Sequence, residues 1–156
     1  MVKTNAMRLL DQAGIAYKAM EYEVDENNLA GEHVADLIGM PPEQVFKTLV
    51  AKGEKRGFIV FCIPVNTELD LRKAALAIED KKIEMLHVKD LLTTTGYIRG
   101  GCSPIGMKKK FPTYMDETAI LFDEITVSAG IRGCQLCIAR EKLMEHIDAT
   151  LCDVTV

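Results

Sequence analysis

Between Thr4 and Gly14 the apolar residues Met7, Leu9 and Leu10 gather mostly on one side of a helix that Thr4 can cap and Gly14 can stop. From Ile15 to Tyr22 the period falls to two, with Ile15, Tyr17 and Ala19 alternating with Ala16, Lys18 and Met20, which predicts a strand. The acidic stretch E-V-D-E-N-N-L over 23–29 predicts a loop. Helical spacing returns over Gly31 to Ile38, where Val34, Leu37 and Ile38 turn inward and Gly39 ends the run. Pro41-Pro42 then opens a short helical turn, since proline suits the first helical position.

Phe46 to Lys52 and Gly57 to Pro64 read as two strands joined by G-E-K-R-G, a hairpin signal. The second contains F-I-V-F-C-I, apolar on both faces, and is expected in the middle of a sheet. Asp70 can cap a helix running to about Glu79, with Leu71, Ala74, Ala75 and Ile78 facing the core. A short strand over Lys82 to Leu86 and a helix over Lys89 to Thr95 follow, the latter ending at Gly96. Beyond the next loop come strands at Thr113 to Asp116, Asp123 to Ser128 and Cys134 to Ala139. A helix over Glu141 to Ile147 and a closing strand over Ala149 to Val156 complete the pattern. Hairpins mixed with crossovers predict an α+β fold, a mixed sheet flanked by helices, in a single domain over residues 1–156.

Charge changes this picture at one place. The chain carries a net charge of −4, which excludes a bulk polyanion binder, yet Gly96 to Pro112 holds Arg99, Lys108, Lys109 and Lys110 and no carboxylate. Four of the eleven glycines lie in that loop, and Gly100-Gly101 offers unhindered N–H groups able to cradle an anion or an oxyanion. The N-terminus has no apolar signal core and no apolar run approaches the roughly 20 residues that span a bilayer, so a cytoplasmic protein without membrane contact is expected. The five cysteines, odd in number and set among apolar residues, fit reduced thiols better than a disulfide framework.

Lys47 is the most informative single residue. It shares a strand face with Leu49 and Ala51, where a cation is costly unless it reaches an anion or water. Cys134-Gln135-Leu136-Cys137 spells C-x-x-C, but a second ligand pair for zinc is lacking and a strand turns the two thiols to opposite faces. His33, His87 and His146 show no metal spacing, and no G-x-S-x-G elbow, Walker A loop or dinucleotide fingerprint occurs. Neither Ser103 nor Cys102 has an evident base in the sequence. The residues alone describe a binder of an anionic or carbonyl-bearing ligand and name no reaction.

F46-K-T-L49, then T95-G-Y-I-R-G-G-C-S-P-I-G106, then V127-S-A-G-I-R-G133 resemble, in that order, the YbaK/EbsC aminoacyl-tRNA deacylases. The opening helix with its following Tyr22, L69-D-L-R-K73 and K81-K-I-E-M85 extend the resemblance over essentially the whole chain. It implies a mixed, barrel-like β-sheet surrounded by helices, no cofactor and no metal. It also implies a role in clearing amino acids wrongly attached to tRNA, cysteine on tRNA(Pro) above all, with the 3′ end of aminoacyl-tRNA as partner and prolyl-tRNA synthetase as a second one. By position, Lys47 matches the family's essential lysine, and Gly100-Gly101 with Ser103 and Pro104 match its pocket loop, whose N–H groups are expected to hold the ester carbonyl. Tyr22, Thr48 and Ser128 fall where the family places pocket residues. Arg99, Lys108, Lys109 and Arg132 are the expected tRNA contacts. Gln135 stands where YbaK has an aspartate, and a neutral amide neither accepts a proton nor pairs with an ammonium group.

The resemblance accounts for the missing nucleophile as well: in the cysteine-specific branch the substrate's own thiol attacks its ester, giving a thiolactone and free tRNA. Three other readings stand beside it. Relatives clear alanine or other small residues with water as the nucleophile. A non-catalytic module would capture tRNA ends or a synthetase, and a thiol oxidoreductase would use Cys134 and Cys137.

Overall fold

The computed structural model describes residues 2–156. Helix α1 (Asn5–Ala13) starts where the Thr4 hydroxyl accepts from the Met7 amide at 3.2 Å and stops at Gly14, as the spacing predicts. Strand β1 (Tyr17–Glu21) leads through the acidic loop to α2 (Gly31–Ile38) and a 3-10 turn at Pro42–Gln44. The hairpin β2 (Phe46–Gly53) and β3 (Gly57–Pro64) pairs antiparallel from Phe46–Pro64 to Gly53–Gly57. Asp70 caps α3 (Leu71–Ala77) by accepting from the Arg72 and Lys73 amides. Then follow β4 (Ile83–Met85), α4 (Val88–Thr95), β5 (Thr113–Asp116), β6 (Glu124–Ser128), β7 (Cys134–Ala139), α5 (Arg140–Ile147) and β8 (Ala149–Cys152). A second 3-10 turn, Glu117–Leu121, lies between β5 and β6, where the spacing predicts none. The closing strand is shorter than its apolar pattern, because Asp153 leaves the ladder and only Thr155 pairs again, with Leu69.

The strands form two sheets. One is antiparallel, β1-β7-β6; the other runs β4-β2-β3-β5-β8 and is mixed, with β5 parallel to both β3 and β8. The expected barrel-like sheet is therefore a pair of sheets that does not close. Their link is a parallel bridge between Val45 and Thr126, which sets the entry of β2 beside β6. β3 is central, and Ile59 to Val65 are all buried, in line with its two apolar faces.

Two cores result. One side of the large sheet packs Phe46, Val50, Val60 and Cys62 against the small sheet's Ile125, Val127, Leu136 and Ile138 and against α1 and α5. The opposite side packs Ala51, Ile59, Phe61 and Ile63 against Ala74, Ala75 and Ile78 of α3. Phe61 is fully buried there and stacks on Tyr114 of β5 with ring centroids 5.8 Å apart. Phe61→Ala is expected to cost about 3–5 kcal/mol. A urea midpoint lowered at unchanged m-value is the signature, and a loss below about 1 kcal/mol would contradict this packing.

Candidate active site

The bridge between the sheets decides what can meet. Lys47 and Ser128 each lie two residues beyond the bridged pair Val45 and Thr126, and Gln135 sits opposite Ser128 in the β6–β7 register. The long loop after α4 covers the gap. Together these elements enclose a cleft of about 290 Å³. Its wall takes in the sequence-predicted residues Lys47, Thr48, Arg99, Gly100, Ser128 and Gln135. Two cations and no carboxylate line it.

Lys47 is half-buried, and burial lowers its pKa below the ordinary lysine value, opposed by the carboxylates of Glu68 and Glu32. The ammonium is thus held in partly dehydrated surroundings, where it attracts an anion more strongly than in water. Thr48 faces Cys62 across the hairpin, and its buried hydroxyl has no nitrogen or oxygen partner. The Gln135 side-chain oxygen is buried and also unpartnered. An acceptor left so at a cleft wall favours a ligand that brings a donor. The Ser128 hydroxyl, by contrast, is engaged: it accepts from the Gly130 amide at 3.1 Å.

The glycine loop is built differently from the expectation. Ile98 to Gly101 form a tight turn in which the Gly101 amide donates to the Ile98 carbonyl at 3.0 Å, and Gly100 takes a φ of +84° that only glycine adopts cheaply. One of the two amides expected to hold an oxyanion is therefore already used. Gly100 remains on the cleft wall, whereas Gly101 is buried against the neighbouring turn: a Cβ there would lie 3.0 Å from the Ile131 carbonyl carbon. Arg132 fastens the two turns, donating from Nε to the Arg99 carbonyl at 2.9 Å, with Glu26 3.9 Å from its guanidinium. Arg132 is thereby a clasp as well as a cation.

Other predicted residues lie outside the cleft. Ser103 is fully buried and its hydroxyl accepts from the Ile105 amide, holding the loop's fold. Pro104 and Lys109 line a second hollow, together with Lys110 and His146. Lys108 lies along Gly96, its amide bonded to the Thr95 carbonyl. Tyr22 is joined through its amide to the Gly133 carbonyl and does not line the cleft. Among the residues the sequence reading passed over, Tyr97 pins the loop by donating to the Ile105 carbonyl, and its ring lies against Gly130. Its place directly after the helix stop Gly96 is the one local signal for that role. The apolar wall from Met85, Leu86, Val88 and Leu91 was equally missed, since spacing marks these residues only as strand and helix interior.

The thiols around the cleft are quiet. Burial pushes Cys102 up to about 12, and burial likewise pushes Cys62 up to about 12, with Cys102 nearby adding to the effect. Cys134 and Cys137 are raised too, first by burial, which removes the low-pKa thiol a redox pair needs. Among the described residues no group of His, Cys, Asp or Glu is arranged to hold a metal ion. No described helix is long and apolar enough to cross a membrane.

Two measurements follow from this electrostatic arrangement. A lysine with a folded pKa below its unfolded value of 10.5 costs stability while charged, and the cost fades as pH rises through the folded value. Lys47→Met is expected to be at least as stable as the parent in urea at pH 7; a clear drop in midpoint would mean that Glu68 and Glu32 hold Lys47 as a structural ion pair. In the native protein at pH 8, Cys62 and Cys102 should react with Ellman's reagent about 100-fold or more slowly than a free thiol. Labelling of either at a free-thiol rate would contradict the burial described.

The family described as the aminoacyl-tRNA editing domain matches residues 26–145. The chain is 50% identical over 153 residues to EbsC of Enterococcus faecalis, provisionally named a Cys-tRNA(Pro)/Cys-tRNA(Cys) deacylase, covering 98% of this chain and 93% of that one. It is 30% identical over 127 residues to the proline--tRNA ligase of Kosmotoga olearia, covering 80% of this chain but 22% of the ligase. In fold it superposes on the crystal structure of a protein described provisionally as a trans-editing enzyme for prolyl tRNA synthetase, with a TM-score of 0.84 at 23% identity over 98% of both chains. The cleft between the sheets, its half-buried lysine and its glycine turn are thus set in a member of the aminoacyl-tRNA editing domain family.

Proposed function

We propose that this chain removes cysteine from mischarged tRNA(Pro), with the substrate's own sulfur as the nucleophile and the protein as the mould. The observation that carries the reading is a cleft with a sheltered cation and no activated nucleophile. Cys102 is held protonated, and no histidine or carboxylate lines the wall to activate Ser128. Attack must then come from the substrate or from water.

In the thiol route, the cysteinyl sulfur forms a bond to its own ester carbonyl carbon. The bond from that carbon to the ribose oxygen breaks, the thiol proton passes to the departing ribose hydroxyl, and a thiolactone and free tRNA result. No water is consumed. The protein supplies proximity and charge: Lys47 and the Gly100 amide stand at the wall to meet the ribose end and the developing oxyanion. The same-sized wall presents Gln135 to the amino acid, whose α-amino group is a donor for the unpartnered side-chain oxygen. The reaction is accordingly a lyase-type cyclisation, placed in the cytoplasm beside the prolyl-tRNA synthetase that makes the error. The relationship to proline--tRNA ligases supports that placement.

The test is deacylation of Cys-tRNA(Pro), Ala-tRNA(Pro) and Ser-tRNA(Pro) side by side, and of Cys-tRNA(Pro) with its thiol alkylated. Loss of the cysteine species alone, stopped by alkylation and slowed about 100-fold or more by Lys47→Ala, is the expected result. Loss of the alanine species would assign water as nucleophile. Silence on every substrate would make this a binding module.

A further inference from the structure

Tyr97 touches both the loop that covers the cleft and the turn beside its wall, without lining the cleft itself. It follows the helix stop Gly96, and its amide donates to the hydroxyl of buried Thr95 at 3.0 Å, which fixes where the ring leaves the backbone. The phenol donates to the Ile105 carbonyl and so ties off the loop that brings Arg99, Gly100 and Cys102 to the cleft. Ile105 is fully buried, so water cannot take the place of that donor. Burial pushes the phenol up to about 12, with Cys102 nearby adding to the effect, and the proton stays on the oxygen to donate. The ring meets the wall's turn as well. A Cβ on Gly130 would lie 2.9 Å from its Cε1, and one on Gly106 3.2 Å from its hydroxyl oxygen. The Gly130 amide in turn donates to the Ser128 hydroxyl, and Ser128 sits across the β6–β7 register from Gln135.

We propose that Tyr97 is a positioning residue for the deacylation: as the spacer between the loop over 98–106 and the turn after β6, it sets how far the Gly100 amide stands from Ser128 and Gln135. This role rests on the proposed deacylation. The same two segments are tethered at an exposed edge by the Arg132 bond to the Arg99 carbonyl. A tether limits how far two segments can part, whereas a ring packed against both limits how closely they can approach. Together the two contacts leave one spacing. Gly106 and Gly130 are the seats of the phenol, since a methyl group on either would compete with it for the same space. Tyr97 does not reach into the cleft, so its effect passes through the groups it spaces. A reaction that works by proximity feels that spacing steeply, because a misplacement of about 1 Å can lower a rate about 100-fold.

Tyr97→Phe keeps the ring and removes only the bond to Ile105, so this variant is expected to fold; Tyr97→Leu removes the bond and most of the spacer. In the full chain, kcat for Cys-tRNA(Pro) should fall about tenfold in Tyr97→Phe and about 100-fold in Tyr97→Leu, with KM within about threefold of the parent. Tyr114→Phe, which removes a phenol hydroxyl from the opposite core, should leave both constants unchanged. Without any turnover, the NMR signals of the Gly100 amide and the Gln135 side-chain amide should move in Tyr97→Phe and stay in place in Tyr114→Phe. A kcat within about twofold of the parent in both Tyr97 variants would overturn the proposal. So would a loss of activity equal to the fraction of unfolded chain seen by circular dichroism, or a rise in KM alone. If the parent clears no aminoacyl-tRNA, the deacylase reading falls and the two signals decide alone: moved in Tyr97→Phe they uphold Tyr97 as the spacer, unmoved they overturn it.

Discussion

One parallel bridge, Val45 to Thr126, determines where chemistry can occur in this protein. Together with the shared core it sets the register between the two sheets, and so the place of Lys47 on one relative to Ser128 and Gln135 on the other. A parallel contact advances both strands in the same direction. Each residue beyond it therefore gains a neighbour from the opposite sheet, and the space between the diverging strands becomes a cleft. That the sheets do not close is part of the same geometry: a fully hydrogen-bonded barrel of this size fills its interior with side chains.

The loop over that cleft is held by contacts that each use a peculiarity of sequence. Gly100 supplies a positive φ, Gly101 the absence of a Cβ where two backbones touch, and Tyr97 a phenol long enough to reach the Ile105 carbonyl. Arg132 ties the turn over 98–101 to the turn before β7. The result is a cover pinned at several points. Such pinning suits the proposed reaction, because the effective concentration of two groups within one substrate depends on how few conformations it can sample.

Much of this was legible in the residues and some was not. The helix ends announced themselves, since Thr4, Gly14, Gly39, Asp70 and Gly96 act through local backbone chemistry. β3 showed its central position through apolar residues on both faces, and Lys47 stood out because a cation was out of place. Pairing partners were hidden: nothing local in T-Y-M-D tells that β5 lies parallel between β3 and β8. The loop was located, but that the Gly101 amide closes its turn was not legible, because glycine spacing says that a turn is present and not which N–H closes it. Tyr22 fell at a motif position yet is not among the residues lining the cleft, while the apolar wall of α4 looked like ordinary helix core. A motif fixes the order of residues along a chain, whereas a cleft is a matter of which face meets which.

Cys102 lines the cleft and Cys62 lies close behind it, so the cleft proposed to hold an ester is furnished with sulfur of its own. Under the proposed thiol route, an ester that yields to the substrate's thiol would also be open to capture by a neighbouring thiolate, which would leave the protein acylated. Burial keeps both thiols protonated and shields the protein from acylation. In such a pocket chemical inertness is itself a functional property: the proposed reaction asks one sulfur to react while the others stay silent.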